Sequence, residues 1–151
     1  MADAVAPDAQ FGLERIYIKD ISYESPATPQ VFLQQAAPQL DIHLGVQHAA
    51  IRPGEGLYEV VLTVSVAAKH ADKAVFLIEI QQAGLFRLSG INGEALVRAL
   101  EIGGAYILLP FVREAINDLA GKGGFPQLLI NPINFEALYE QKQAALKKSA
   151  S

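Results

Sequence analysis

Histidines are the first residues in this chain that could perform acid-base or metal chemistry. There are three, His43, His48 and His70, and none has a partner at a metal-ligand spacing such as H-x-x-x-H. Histidines without such partners are usually solvated residues of strands or turns. We therefore expect all three to be solvated, and we predict no metal site.

Serine and glycine motifs for catalysis or phosphate binding are incomplete. No serine lies in a G-x-S-x-G context. The glycines of 54–56 and 121–124 complete neither G-x-x-x-x-G-K-[ST] nor G-x-G-x-x-G, and Pro126 stands where the second pattern needs its last glycine. We interpret both glycine clusters as turns. A small-substrate enzyme of α+β fold stays open as an alternative, and convergent polar groups in one pocket would distinguish it.

The spacing of two carboxylates would place both on the same face of a strand. Asp20 and Glu24 are four residues apart, which on a strand separates them by about 13 Å. That distance is too long for a shared proton, so the simpler interpretation is an acidic surface stripe.

Composition excludes several classes of partner. The net charge is -4, and no basic run is longer than Lys147 and Lys148, so nucleic acid is not expected as a ligand. Hydrophobic residues make up 51% of the chain and charged residues only 19%, which favours association with other chains. We see no apolar stretch long enough to span a membrane and no basic leader, so we expect a cytoplasmic protein. Cysteine is absent, which excludes thiolate chemistry.

Four segments have the period-two alternation of strands. The first places Ile16, Ile18, Asp20 and Glu24 on one parity, and prolines at 26 and 29 end it. A long extended crossover then leads to Pro38. The predicted strands span residues 11–23, 40–47, 58–66 and 74–86, and short turns join the last three.

The pattern changes to helical after Gly90. Asn92 could cap a helix that Gly103 and Gly104 end, and Pro110 could begin a second helix. Asn134 is a suitable cap for a last helix. Strands followed by helices predict an α+β domain, with helices on one face of a four-stranded antiparallel sheet. We predict a flexible N-terminus at 1–10, one domain at 11–146 and a flexible tail at 147–151.

The residues 15–26, RIYIKDISYESP, resemble the opening of the SecB protein-export chaperones, R-I-Y-x-K-D-I-S-F/Y-E-x-P. The blocks YEVVL at 58–62, FLIEIQQAGLF at 76–86, FPQL at 125–128 and PINFEAL at 132–138 resemble later family blocks. The likeness spans roughly Phe11 to Tyr139, and it is far more specific than any short motif.

The resemblance implies an ATP-independent holdase without a cofactor. Such proteins form a dimer of dimers, with helices between two sheets, and hold unfolded secretory precursors in apolar grooves. They dock the motor SecA through an acidic sheet surface that meets its basic tail. A general or toxin-antitoxin-linked holdase without SecA coupling is the alternative.

The resemblance also implies roles for individual residues. The SecA-binding positions of the family correspond to Asp20, Glu24, Leu77 and Glu79, and those linked to the subunit interface to Phe76, Ile78, Ile80 and Gln82. The expected substrate groove comprises Val31, Phe32, Phe125, Leu128, Phe135, Leu138 and Tyr139.

Two departures from the family pattern matter. The crossover has Ala36 and Ala37 where some members carry a tryptophan, so we expect weaker aromatic anchoring of substrate there. The tail ends in Lys147-Lys148-Ser149 instead of an acidic or polar run, which puts a secondary tail contact with SecA in doubt.

Overall fold

Alternating apolar residues in four segments build one antiparallel sheet. The computed structural model describes residues 4–34, 37–52 and 54–150. The strands are β1 (Ala4–Glu24), β2 (Gln39–Arg52), β3 (Leu57–His70) and β4 (Lys73–Asn92), in the order β1-β4-β3-β2. Helices cover one face of this sheet, called the helix face here, and the opposite face is called the outer face. The predicted fold class is confirmed.

Strands β1 and β4 are longer than predicted. β1 begins at Ala4 instead of Phe11, because Ala4 and Val5 pair with Asn92 and Ile91 at the far end of β4. The predicted start of the first strand at Phe11 is therefore wrong, and the predicted domain boundaries stay a prediction. Met1 to Asp3 lie outside the described residues. Flexibility of the two chain ends in solution stays a prediction.

Three register shifts interrupt the pairing of β1 with β4, and the two after Gln10 change which of the predicted residues share a face. The register against β4 shifts between Leu13 and Arg15, and again between Ile18 and Asp20. A β-bulge adds one unpaired residue and so reverses the alternation beyond it. Ile18 consequently lies on the helix face and Asp20 on the outer face, which corrects the predicted parity.

The crossover between β1 and β2 contains a short 3-10 helix, Gln30–Leu33, where the sequence predicted extended chain. The Val31 amide donates to the Ala27 carbonyl at 2.9 Å and the Phe32 amide to the Pro29 carbonyl at 3.0 Å, so local hydrogen bonds replace extended backbone. Gln35 and Ala36 lie outside the described residues. Ala36 is one of the two alanines that stand where some family members carry a tryptophan.

One continuous helix spans Gly93–Lys122, where the sequence predicted two. It comprises α1 (Gly93–Arg98), a π-helical segment (Ala99–Gly104) and α2 (Ala105–Lys122). Gly104 lies inside the helix and does not end it. A Cβ at this position would lie 3.2 Å from Val60 Cγ2, so glycine permits close approach of the helix to the sheet. Pro110 is inside α2 on its exposed side, where water can bind the carbonyl that lacks an N–H partner.

This helix is long and apolar enough to cross a membrane by length and composition, which corrects the expectation that no such stretch exists. Within the described residues it is the one helix of that kind. Its apolar side chains pack instead on the helix face of the sheet, where Leu100, Leu108, Val112 and Ile116 are at most 1% exposed. Their partners are the even-numbered residues of β3 and β4, including Val60, Leu62, Val64, Ile78 and Ile80.

Helix α3 (Phe135–Ala150) follows an irregular segment. α2 ends as predicted at the glycine cluster, where Gly124 has a φ of +85° and the Phe125 amide donates to the Ala120 carbonyl at 2.9 Å. The Asn134 side chain caps α3, since its Oδ1 accepts from the Ala137 amide at 3.0 Å. Asn92 precedes α1 but makes no side-chain capping bond.

Candidate functional site

The predicted SecA-binding residues lie together on the outer face. Glu24 is paired with Leu77, Ser22 with Glu79 and Asp20 with Gln81 across the β1–β4 ladder. Side chains of directly paired residues point to the same face of a sheet. Asp20, Glu24 and Glu79 are exposed, and Leu77 is 37% exposed. The arrangement is a negatively charged surface with an accessible apolar residue inside it.

A second polar group on the outer face joins β1 to β3. The Tyr17 hydroxyl donates to Glu59 Oε2 at 2.5 Å, and Lys19 Nζ lies 3.0 Å from Glu59 Oε1. Burial, followed by the hydrogen bond to Glu59 and the charge of that carboxylate, raises the pKa of Tyr17 to about 12. The Lys19 ammonium therefore offsets the Glu59 charge, whereas Asp20, Glu24 and Glu79 lie closer to the end of β1 at Glu24.

Aromatic rings form a chain from the crossover into the core. The rings of Phe32 and Phe125 are 5.4 Å apart, those of Phe125 and Phe76 are 4.8 Å apart, and Tyr23 stacks on Phe76 at 6.4 Å. Phe32 is 50% exposed, whereas Val31, Phe125 and Leu128 are partly buried against the core. Phe32 and Phe125 therefore belong to an apolar surface that is open to water at Phe32, while Val31 and Leu128 pack against the core.

The other predicted groove residues lie at a different place, between α3 and β2. Phe135 and Tyr139 are 1% and 4% exposed, and Phe135 packs edge-on against Tyr106 with ring centres 4.9 Å apart. Together with Leu138 they line a cleft whose other wall is formed by Leu44 and Val46. The prediction of one open groove is thus corrected, because α3 covers this second part.

The predicted interface residues of β4 belong to the core of the single chain. Phe76, Ile78, Ile80 and Gln82 are between 0% and 3% exposed on the helix face. Gln82 Nε2 donates to the Tyr17 carbonyl at 3.1 Å, which satisfies a buried amide. These side chains present no surface to a second chain in this fold, because the chain's own helices cover them. Their influence on association stays a prediction and would act through the core.

Other apolar side chains on the helix side are uncovered. Leu13, Ile18 and Ile21 of β1 are 44%, 45% and 43% exposed, and Tyr106 and Phe111 of the long helix are 45% and 47% exposed. Scattered apolar residues are normal on a surface, but these lie along one edge strand and one exposed helix side. They form apolar surface that the chain's own elements leave uncovered.

The sequence missed a polar cluster that links three elements. Glu101 in the π-helical segment is 6% exposed, and its carboxylate contacts His48 Nδ1 at 2.5 Å and Lys142 Nζ at 3.0 Å. His48 was predicted to be solvated, and that is wrong. Its parity on β2 matches that of Leu44 and Val46, so alternation alone could have placed it on the helix face. His43, in contrast, is solvated as predicted, with a side chain that is 76% exposed.

Metal binding has no support in the described part of the chain, where His, Asp and Glu side chains form no group of three that could hold an ion. The cleft between α3 and β2 is lined mainly by apolar side chains, and its described lining does not bring together a nucleophile, a base and an oxyanion donor.

Comparison with known proteins agrees with this geometry. The family model described as "Preprotein translocase subunit SecB" matches residues 4–146. The SecB-like chaperone Rv1957 of Mycobacterium tuberculosis, solved with a peptide from the HigA1 antitoxin, has the same fold with a TM-score of 0.66 and 17% identity. The alignment covers 82% of this chain and 87% of that one.

Curated relatives share much more sequence. The protein-export protein SecB of Methylobacillus flagellatus is 45% identical over 142 residues, covering 93% of this chain and 89% of the relative. That of Halorhodospira halophila is 43% identical over 145 residues, covering 94% and 81%. The chain belongs to the SecB family of protein-export chaperones.

Proposed function

We propose that this chain is an ATP-independent holdase of the cytoplasm that binds unfolded secretory precursors and delivers them to SecA. The observation that carries the proposal is the presence of two different exposed surfaces on one chain, one on the sheet and one at the crossover. Exposed carboxylates and Leu77 occupy the outer face, while the exposed aromatic surface around Phe32 lies at the crossover. One chain can then hold a client and dock a motor without competition between the two.

Client binding rests on the exposed aromatic surface. Burial of apolar area contributes about 25 cal/mol per Å² without requiring a particular side-chain pattern. Phe32 is half exposed but is fixed by its ring contact with Phe125. Little side-chain freedom is then lost when an unfolded segment covers it. This combination suits a surface that accepts many apolar sequences.

Docking of SecA rests on charge. Asp20, Glu24 and Glu79 lie on adjacent strands, and a basic peptide crossing them would meet several carboxylates. Such exposed pairs steer association and weaken as salt is added. Leu77, which is paired with Glu24, offers an apolar contact that salt does not screen.

Assembly rests on the uncovered apolar side chains of β1 and the long helix. Burial of Leu13, Ile18 and Ile21 against a second copy, and of Tyr106 and Phe111 against a further pair, would give a homotetramer built as a dimer of dimers. Several client surfaces on one tetramer would multiply weak contacts into tight binding.

Refolding of a slow-folding client tests the holdase activity. We expect stoichiometric chaperone to keep the client unfolded without nucleotide, and native mass measurement to give a tetramer. Refolding at the full rate would reject the proposal, and a monomer would reject the assembly.

A triple variant, D20N/E24Q/E79Q, tests the docking surface because it removes charge while keeping side-chain shape. We expect it to hold clients normally and to lose most SecA affinity at low salt. D72N, in the exposed β3–β4 turn, is the matched control. Unchanged SecA affinity in the triple variant would favour a general or toxin-antitoxin-linked holdase without SecA coupling.

A further inference from the structure

The fold restrains the asparagine side chains of this chain to different degrees. Asn117 Oδ1 accepts from the Leu128 amide at 2.7 Å, and Asn134 Oδ1 accepts from the Ala137 amide at 3.0 Å. Asn92 is exposed, and its side chain makes no hydrogen bond to any residue that the structure describes. The side-chain amide of Asn92 is therefore free to take part in a reaction that hydrogen bonding opposes at the other two positions.

The residue that follows an asparagine decides whether its side chain can react with the main chain. The main-chain nitrogen of that next residue can attack the side-chain Cγ and close a succinimide ring. Pro132 follows Asn131, and its nitrogen carries no hydrogen to give up, so this ring does not form there. Gly93 follows Asn92 in the chain's single Asn-Gly pair, and because glycine has no Cβ its nitrogen can approach Cγ closely.

The backbone at this pair is only weakly restrained. Asn92 is the last residue of β4 and pairs with Ala4 of β1, whereas the pairing of β4 with β3 ends at Arg87. Gly93 begins the long helix with a φ of +66°, and the first N–H groups of a helix have no partner within that helix. The Gly93 nitrogen can therefore turn toward Asn92 Cγ without breaking the hydrogen bonds of the helix.

We propose that the Asn92-Gly93 pair is a self-modification site, at which the folded chain slowly and irreversibly converts Asn92 to aspartate and isoaspartate. The Gly93 nitrogen forms a bond to Asn92 Cγ, its proton passes to the side-chain amide nitrogen, and that nitrogen leaves as ammonia. Water then opens the succinimide at either of its carbonyl carbons. One opening gives aspartate, and the other leaves the main chain running through the side-chain carbon, which is isoaspartate.

The two products have different effects on the fold. Both add a negative charge at the start of the long helix, where the helix dipole favours an anion, and aspartate can cap a helix as well as asparagine can. Isoaspartate lengthens the main chain, so the pair Ala4–Asn92 loses its geometry. Only this pair and Val5–Ile91 hold the start of β1 before the register shift that ends at Gln10. The isoaspartate form should therefore loosen the start of β1.

Mass spectrometry of tryptic peptides can follow the reaction in the folded chain. Cleavage after arginine and lysine places Asn92 on the peptide 88–98, Asn117 on 114–122, and Asn131 and Asn134 on 123–142. The folded protein is incubated at mildly alkaline pH, which helps to remove the Gly93 proton, and a sample digested at the start corrects for reaction during digestion. We expect the amide-to-acid mass increase on 88–98 to accumulate about tenfold faster than on the other two peptides, because a competing asparagine must first break a hydrogen bond.

The free peptide of residues 88–98 gives the rate of the same pair without the fold. We expect the folded chain to react within about tenfold of that rate, because only local opening at the end of β4 is needed. A folded chain that stays unmodified while the free peptide converts would show that the fold protects Asn92, and it would overturn the proposal. Conversion of Asn117 as fast as that of Asn92 would overturn it as well.

Two variants at position 92 separate the reaction from its consequence. N92Q is the matched control, because glutamine must close a larger ring, and its peptide 88–98 should show no mass increase over the same time. N92D supplies the aspartate product without isoaspartate. Hydrogen exchange of residues 4–10 should be faster in aged protein than in fresh protein or N92D, and equal exchange in all three would contradict the loosening of β1. These measurements use neither client nor SecA, so their outcome is independent of the proposed holdase function.

Discussion

The ring of Phe32 lies 5.4 Å from the ring of Phe125, although Phe32 is half exposed to water. Phe125 in turn contacts the buried ring of Phe76 at 4.8 Å. An aromatic surface residue is thus fixed to the core through an intermediate ring. A client that covers Phe32 meets an ordered surface, while Phe135 at the other predicted site is already buried by the chain itself.

This difference predicts opposite behaviour of two Phe→Ala variants. F32A should weaken client binding and lower the free energy of unfolding by less than about 1 kcal/mol, since half of its area is already in water. F135A should cost about 3–5 kcal/mol in stability, because it leaves a cavity beneath α3. Urea unfolding at fixed protein concentration and client dissociation constants separate the two effects.

Leu146, 54% exposed near the end of α3, provides the control for an exposed apolar residue without a ring contact. L146A should change neither the free energy of unfolding nor the client dissociation constant measurably. If F32A binds clients as tightly as the unmodified chain, the aromatic surface at the crossover is not the client site.

Sequence patterns predicted the sheet well because alternation is a local property. β2 and β3 show regular alternation, and the helix face and outer face follow from it. In β1 the alternation rule assigned Ile18 and Asp20 to the same face, which is wrong because of the bulge between them. The residue types of the strand do not indicate where such an extra residue is inserted. Asp20 and Glu24 were still placed together correctly, because both come after that bulge.

Long-range contacts were beyond the reach of local patterns. The sequence predicted that Gly104 ends a helix. In the structure this glycine instead permits close contact with Val60, a residue far away in sequence on β3. Glu101 and Lys142 likewise meet only because α3 folds back over the π-helical segment. The candidate surfaces were therefore predicted by resemblance and parity, and the division of the groove into an open and a covered part needed the structure.

The close approach at Gly104 predicts that added side-chain volume will be costly there. A Cβ would lie 3.2 Å from Val60 Cγ2, so Gly104→Leu should force the helix away from the sheet and lower stability by about 1–3 kcal/mol. Gly121 is the matched control, because nothing lies within 4 Å of an added Cβ there. Gly121→Ala should raise stability by roughly 0.5 kcal/mol through helix propensity.

Thermal and urea unfolding of the two glycine variants check this pair. Opposite signs of the stability change are the expected result. A Gly104→Leu variant as stable as the unmodified chain would mean that the long helix does not pack this closely on β3.

Alkaline pH should destabilise the fold through Tyr17. Its pKa is about 12 in the folded chain, because of burial first and the hydrogen bond to Glu59 second, whereas an unfolded tyrosine has a pKa near 10. Below pH 10 both states keep the proton and the contribution is complete. Between about pH 10 and 12 the unfolded state releases the proton more readily, so the contribution is lost as pH rises through that range.

Comparison with Y17F isolates this effect from the lysines and other tyrosines that titrate nearby. The free energy of unfolding of Y17F should fall less steeply between pH 10 and 12, and its tyrosinate absorbance should lack one high-pH transition. Glu59→Gln removes the charge but keeps the burial, so the Tyr17 transition should move toward pH 10 without reaching it. Identical slopes for Y17F and the unmodified chain would show that Tyr17 is not protected on the outer face, and the hydrogen bond to Glu59 would then carry no stability.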